Sequence, residues 1–380
     1  MKSSDIAVIV PAHNEEPVIR ACIKSLKHSL HKKQIYVVSD GSTDKTYRRA
    51  RLEGCHVSYL TPGRGKAKAM IYLLERFRLF ERYKLIFILD ADTQIDPTFV
   101  PRALSLFENP DIAVIFGGAR IHWPDHLIPT LKLYFVAYRE RLNRMLQYLL
   151  IYAQTWKYTN VNYVIPGFCT IYRSKILRKL EIDTPGLLIE DFNLAFQLHK
   201  RKLGKIGHSI GLIGWDQHPD NLKDYWNQVR RWNIGFFQTI RKNGIWPSFF
   251  WLSLMVFTVE VMLNSIFMLI LPILILFLFV QPHAGVSPIL DVFINAYRQF
   301  GFYRYLTIKG IVLGVFVIDY LFTVVIGFSH KKPQFAIYGL FFIFMHVITS
   351  LILVSSIIPG FFSSSEGKWT SPARRAISPQ

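Results

Sequence analysis

Between residues 246 and 362 this 380-residue chain runs through long apolar stretches with hardly any charge. An uncharged run of about 18 or more apolar residues is a candidate membrane-crossing helix. Over residues 1–243 the charges are interspersed instead. A hydrophobic content of 51% is high for a soluble protein, and it is this uneven distribution that explains it. The chain therefore reads as a water-facing domain followed by a helical membrane domain.

Residues 246–280 as one helix would measure about 50 Å, too long for a hydrocarbon core of about 30 Å. Residues 240–250 are therefore expected at the interface, and about 254–280 as one tilted span containing Pro272. Two further spans are expected at about 306–328 and 335–359. With the preceding domain in the cytosol, three spans put His330, Lys331 and Lys332 inside, as the positive-inside rule favours. They put Lys368, Arg374 and Arg375 outside, which it does not favour. Four spans reverse both placements, but no turn signal divides the first segment. Glu260 and Asn264, four apart in an apolar span, either line a polar path or sit at headgroup level.

A formal charge of +19 calls for an anionic partner. No zinc-finger spacing, RNA-binding signature or recognition helix is present, so nucleic acid is not expected. A protein that handles phosphates at an anionic membrane surface accounts for the charge as well. Cys22, Cys55 and Cys169 form no close pair, which argues against a disulfide framework or zinc site and fits a reducing compartment. The first apolar run is five residues long before Pro11, too short for a signal peptide, and no span is expected ahead of the soluble domain.

In the first half, strands are expected at residues 6–10, 34–39, 56–60 and 112–117, and helices at 17–28, 45–53, 67–80 and 97–107. Alternating strands and helices predict a doubly wound α/β sheet. The sharpest local feature is YKLIFILDADTQIDP, residues 83–97. Its apolar run reads as a strand buried on both faces, and it stops at Asp90-Ala91-Asp92. Ligands of open α/β sheets lie beyond the carboxyl ends of strands, so two carboxylates there suit a divalent cation carrying phosphates. The alternative is a turn, with Asp96 capping the next helix.

Other elements carry weaker signals. The loop TPGRGK (61–66) leads into a helix and suits an anion, but it has neither P-loop nor dinucleotide-fingerprint spacing. Residues 127–155 hold Arg139, Arg141 and Arg144 at helical spacing, on either an interfacial amphipathic helix or a soluble core helix. Pro124 separates His122 from His126, so these two are expected to be ordinary polar residues. Glu190 and Asp191 open a helix, as a base kept anionic by the helix dipole or as a simple cap. Gln228, Arg231 and Trp232 share one helix face, which suits a diphosphate and a sugar ring or a solvated charged face anchored by one Trp.

Six motifs occur in order: VPAHNEE, SDGSTD, GRGKAKA, LDADT, IED and QVRRW. Over about residues 6–232 the chain thereby resembles the family 2 glycosyltransferases, in particular the membrane-integrated synthases of the cellulose, chitin, hyaluronan and poly-N-acetylglucosamine type. The resemblance implies an α/β GT-A (Rossmann-like, doubly wound) catalytic domain at residues 1–240. An α-helical transmembrane domain at 241–362 and a short basic tail at 363–380 would follow. It implies an inverting hexosyltransferase that uses a UDP-sugar donor with Mg²⁺ or Mn²⁺. The acceptor would be a growing glycan or a lipid, among membrane lipids, with the catalytic domain on the cytosolic face (the plasma membrane in a bacterium).

Carried onto this sequence, Asp191 would be the general base with Glu190 beside it. Asp40 would bind uracil, Lys66 and Asp90 would contact the nucleotide, and Asp92 would hold the metal. Pro11, Asn14 and Glu15 would complete the donor side. Gln228, Arg231 and Trp232 would secure the pyrophosphate, and Trp232 would join Gly167 and Phe168 at the acceptor. Two positions depart from the family pattern: Ser39 precedes Asp40 where many relatives have a second acid, and Ile189 stands where Thr is common. The missing N-terminal span leaves room for a glycolipid synthase beside the processive polymer synthase. A nucleotide-binding membrane protein without catalysis is the third reading, and the base-like Asp191 with Arg231 argues against it.

Overall fold

The computed structural model describes residues 1–121, 130–148, 157–279, 288–299 and 307–364. His122, His126, Lys368, Arg374 and Arg375 lie outside the described residues, as do parts of the 127–155 stretch. The chain divides into two compact units, Met1–Val256 with Ser356–Gln380, and Phe257–Ser355.

The first unit is built on one eight-stranded sheet. Its strands are β1 (Ile6–Ala12), β2 (Ile35–Asp40), β3 (His56–Leu60), β4 (Leu85–Leu89), β5 (Gln94–Ile95), β6 (Ile112–Ile121), β7 (Cys169–Arg173) and β8 (Lys205–Asp216), in the order β3-β2-β1-β4-β7-β6-β8-β5. β1 pairs in parallel with both β2 and β4, so the chain winds outward to β3 and then returns past β1. That reversal is a topological switch point, where the strand ends of an open α/β sheet leave a crevice. Pairing is parallel from β3 to β4, as the doubly wound expectation has it, and parallel again between β6 and β8. β7 runs antiparallel to both β4 and β6. The fold is the GT-A-like α/β sheet that the motifs imply, in mixed form.

Alternation along the central strands explains why the sheet is covered on both faces. Ile6, Val8 and Val10 of β1 join Phe87 in one core cluster, with α1 (Ile19–Lys27) and α5 (Phe99–Leu106). Ala7, Ile9, Ile86 and Ile88 join the other, with α3 (Lys66–Arg76) and α8 (Asp191–Lys200). Phe87 stacks on Phe99 with ring centroids 5.3 Å apart.

Short helices α2 (Thr46–Leu52), α4 (Leu79–Arg82) and α7 (Ser174–Leu177) complete the connections. The expected helix 67–80 breaks in two because Arg78 adopts a left-handed backbone, φ 48°. α6 (Leu131–Tyr148) carries the arginine cluster, and Arg139, Glu140, Arg141 and Arg144 on it are all buried. That decides for a core helix of this unit over an interfacial one. α9 (Leu222–Asn243) is the last helix before the apolar segment. The carbonyl of Phe361 accepts from Arg241 Nη1 on it at 2.6 Å.

Among the described residues three helices are long and apolar enough to cross a membrane, over Phe249–Ile275, Gly310–Ser329 and Phe342–Phe362. They belong to α10 (Phe249–Phe279), α12 (Ile308–Ser329) and α14 (Phe342–Phe362). The third begins later than expected, because a separate turn of helix, α13 (Phe335–Gly339), precedes it. α11 (Pro288–Gln299) is a further helix that the hydropathy reading did not anticipate. Glu260 and Asn264 lie on the exposed surface of α10. Within the second unit, His346 Nε2 sits 3.1 Å from Asp319 Oδ1, joining α14 to α12.

Candidate active site

The carboxyl ends of β1 and β4 open into a cleft of about 430 Å³. β4 delivers Asp90 and Asp92 to its rim, and the turn beyond the strand closes when the Thr93 N–H donates to the Asp90 carbonyl at 3.0 Å. The turn reading of this motif is thereby met, and the same geometry leaves both carboxylates lining the cleft. Asp96 closes the turn that leads into α5, its Oδ1 accepting from the N–H of the N-cap residue Thr98 at 2.8 Å.

α3 starts at Lys66 immediately after Gly65, whose φ of 91° suits a residue without a side chain. The lysine therefore points into the cleft from a helix N-terminus. Its Nζ lies 2.8 Å from Asp90 Oδ1 and 3.3 Å from Glu190 Oε1. Burial alone would lower the Lys66 pKa, but Asp90, Glu190 and Asp191 around it outweigh that and raise it. The ammonium thus stays charged and ties the end of β4 to the start of α8.

Glu190 and Asp191 stand at that start, as the sequence predicts. Burial pushes the Asp191 carboxyl up, the neighbouring Glu190 adds to it, and Lys66 and the Gly167 N–H oppose it, leaving a pKa of about 7. Two contacts hold the pair in place from α9. The Leu188 N–H donates to Gln238 Oε1 at 2.9 Å, and Gly235 leaves the space that Ile189 fills, where a Cβ would come within 2.8 Å of Ile189 Cδ1. On the other side Gly167 lies so close that a Cβ there would overlap Asp191 Oδ1 and approach Lys66 Nζ to 3.2 Å.

α9 also carries Gln228, Arg231 and Trp232, all lining the cleft. The Arg139 guanidinium lies 4.4 Å from the centroid of a Trp232 ring, a cation–π contact that fixes the indole plane. The sequence singled out Arg139 only as one of a cluster; its stacking on Trp232 depends on how α6 meets α9.

Pro11, Glu15, Lys66, Asp90 and Asp92 from the donor side line the same cleft, and so do Gly167, Phe168, Glu190 and Asp191. Asn14 and Asp40 are not among the lining residues. Asp40 is buried, and its two oxygens each accept one backbone amide of the Gly-rich loop, Arg64 N–H and Gly65 N–H, both at 2.8 Å. Asn14 ties the first loop to the second, its Oδ1 accepting from the Thr43 N–H at 2.9 Å. Sequence reasoning missed Asp216, His218, Asn143 and Asn233, which also line the cleft. None belongs to a motif with recognisable spacing, and β8, which carries Asp216, was not expected as a strand.

The carboxylates suit a divalent cation of the kind that keeps substrate phosphates as ligands. Among the described residues no group of three or more His, Cys, Asp or Glu side chains could hold a metal. Asp90 and Asp92 offer two carboxylates at one strand end, which matches Mg²⁺ or Mn²⁺ bound through one or two carboxylates plus phosphate oxygens.

Residues 7–181 match the model of glycosyl transferase family 2. A probable glycosyltransferase of Bacillus subtilis, YdaM, is 25% identical over 289 residues, covering 69% of this chain and 65% of YdaM. The poly-β-1,6-N-acetyl-D-glucosamine synthase of Staphylococcus aureus is 23% identical over 236 residues, covering 60% of this chain and 54% of the synthase. The chain thus spans about half to two thirds of these relatives. Among solved structures, the Pyrobaculum calidifontis mannosyltransferase PcManGT in complex with GDP-Man and Mn²⁺ superposes with a TM-score of 0.49 at 13% identity, covering 94% of this chain and 87% of that one. The family match ends before Glu190, so the placement of Asp191 and of the α9 residues rests on the geometry above.

Proposed function

We propose that the chain is an inverting glycosyltransferase that moves a sugar from a UDP-sugar to an acceptor hydroxyl. The observation that carries this reading is Asp191, held near a pKa of about 7 beside Lys66 in the cleft that Asp90 and Asp92 border. A base works best with a pKa near the operating pH. The similarity of residues 7–181 to the glycosyl transferase family 2 model supports the same reading.

In this mechanism Lys66 and Arg231 secure the nucleotide and its diphosphate. Asp40 is buried behind the cleft and serves the uracil end by holding the Gly-rich loop through both of its oxygens, with Pro11 and Glu15 on the neighbouring wall and Asn14 tying the first loop to the second. Gln228, Arg231 and Trp232 flank the leaving diphosphate, and Gly167, Phe168 and Trp232 border the acceptor. Asp191, with Glu190 beside it, takes the proton of the acceptor hydroxyl. The freed oxygen forms its bond to the anomeric carbon as the bond to the diphosphate breaks, and UDP departs. A magnesium or manganese ion held by Asp92, with Asp90 adjacent, would offset the charge on the diphosphate.

The finer reading is processive synthesis of a β-linked polysaccharide passed through the chain's own membrane helices, with residues 1–240 on the cytosolic face and 241–362 in the membrane. The likeness to the S. aureus synthase and the three apolar helices support it. UDP release by the purified chain is to be measured against a panel of UDP-sugars with and without Mn²⁺, and the product sized. Metal-dependent release with a high-molecular-weight product supports the polymer synthase. A small, organic-extractable product replaces it with a glycolipid synthase, and no release with any donor removes the catalytic reading.

A further inference from the structure

The cleft holds a second polar cluster that the mechanism above leaves unused. Asp216 closes β8, His218 follows two residues later, and Asn143 reaches them from α6. The His218 and Asp216 side chains retain only 5% and 13% of their exposure. His218 Nε2 lies 3.2 Å from Asn143 Nδ2 and 3.1 Å from Asp216 Oδ1. The second approach lacks hydrogen-bond geometry, and among the described residues neither Asp216 Oδ1 nor His218 Nδ1 has a hydrogen-bond partner.

The amide of Asn143 can be drawn in two orientations. If it donates to Nε2, the ring proton is on Nδ1, a donor without a hydrogen-bond partner, and the Asp216 oxygen 3.1 Å from Nε2 is unmatched as well. If its oxygen faces Nε2–H, Nδ1 is an unmatched acceptor. Both orientations leave buried polar atoms at the cleft wall, a state that native structures rarely tolerate without a function. A hydroxyl both donates and accepts, so adjacent sugar hydroxyls satisfy either arrangement.

Strand order says which part of a nucleotide sugar reaches them. With the diphosphate at the end of β4, the Asp40 loop lies two strands to one side, at the end of β2, and Asp216 three strands to the other, at the end of β8. In a nucleotide sugar the nucleoside and the sugar are bonded to opposite ends of the diphosphate. The nucleobase lies on the β2 side, so the sugar extends toward β8, where Trp232 adds a flat apolar face.

The geometry points to His218 and Asp216 as the groups that hold hydroxyls of the transferred sugar and so select which sugar is accepted, with Asn143 setting the ring orientation. This rests on the nucleotide-sugar reading of the cleft. It is tested by calorimetric titration of the full chain in Mn²⁺ with UDP, UDP-glucose, UDP-galactose and UDP-N-acetylglucosamine, for wild type, Asp216→Asn and His218→Gln. UDP affinity is expected to stay within about twofold in both variants, which also reports that they fold. Affinity for the UDP-sugar that wild type prefers should fall about 10-fold or more, and the preference between sugars should narrow.

Equal loss of UDP and UDP-sugar affinity overturns the inference, and so does no loss of either. If His218→Gln does not fold, Asp216→Asn, which keeps the side-chain shape, decides alone. A wild type that binds UDP but discriminates among no sugars overturns the inference and leaves the nucleotide site standing. One that binds neither removes both.

Discussion

Two pairs of carboxylates border the cleft, and their surroundings give them opposite characters. Asp90 and Asp92 end a strand, with Asp90 paired to Lys66 at 2.8 Å and retaining 32% of its side-chain exposure. Glu190 and Asp191 begin a helix under α9, and there burial and mutual repulsion push Asp191 up to about 7. The first pair is placed to face a cation and phosphates, and Asp191 of the second to exchange a proton near neutral pH. Identical side-chain chemistry is thus divided into two roles by desolvation and by which pair the lysine touches more closely.

The most severe test of that division is Asp191→Asn. It should lower transfer by about 10²- to 10⁴-fold while leaving Mn²⁺-dependent UDP binding near wild type, measured by calorimetry beside product formation. Loss of both together would mean that the two pairs are not separable. Gly167→Ala should cost about 10²-fold in transfer, because the new methyl displaces the Asp191 carboxylate and a shift of about 1 Å in a reacting group has that consequence. Asp92→Asn is expected to weaken UDP binding in Mn²⁺ by about 10-fold and to leave metal-free binding unchanged; equal effects with and without metal would contradict its assignment.

The smallest effect concerns pH. With Asp191 as the proposed base, transfer needs it ionised, so kcat/KM should rise with pH and inflect near 7. Glu190→Gln removes a neighbouring negative charge, favours the ionised base, and should move the inflection to lower pH by about one unit. A shift to higher pH would mean that Glu190 assists Asp191 by some route other than repulsion.

A second contrast shows where sequence reading succeeds. Leu85 to Leu89 and the apolar residues of α10 are alike in composition, yet the first are at most 2% exposed while Leu263 on α10 is 63% exposed. Length separates them on the page: five apolar residues between polar flanks make a buried strand, and about thirty make a helix whose outer face meets no protein. The early strands and helices, the Asp90 and Asp92 turn, and the Glu190–Asp191 helix start were legible for the same local reason. They depend on side-chain periodicity, turn chemistry and helix starts, which act over a few residues.

What the sequence determined by itself was the alternating α/β order of the first half, the apolar helices of the second, and six motifs whose order implied the family. Only the tertiary structure decided that β7 inserts antiparallel and that Asp40 clamps the Gly-rich loop. It also decided that Gly235 admits Ile189 beneath the base, that Arg139 stacks on Trp232, and that Asp216 and His218 reach the same cleft. Each of these joins residues tens of positions apart. Such pairings follow from strand order and from how closely two helices approach, and no periodicity within one segment encodes them.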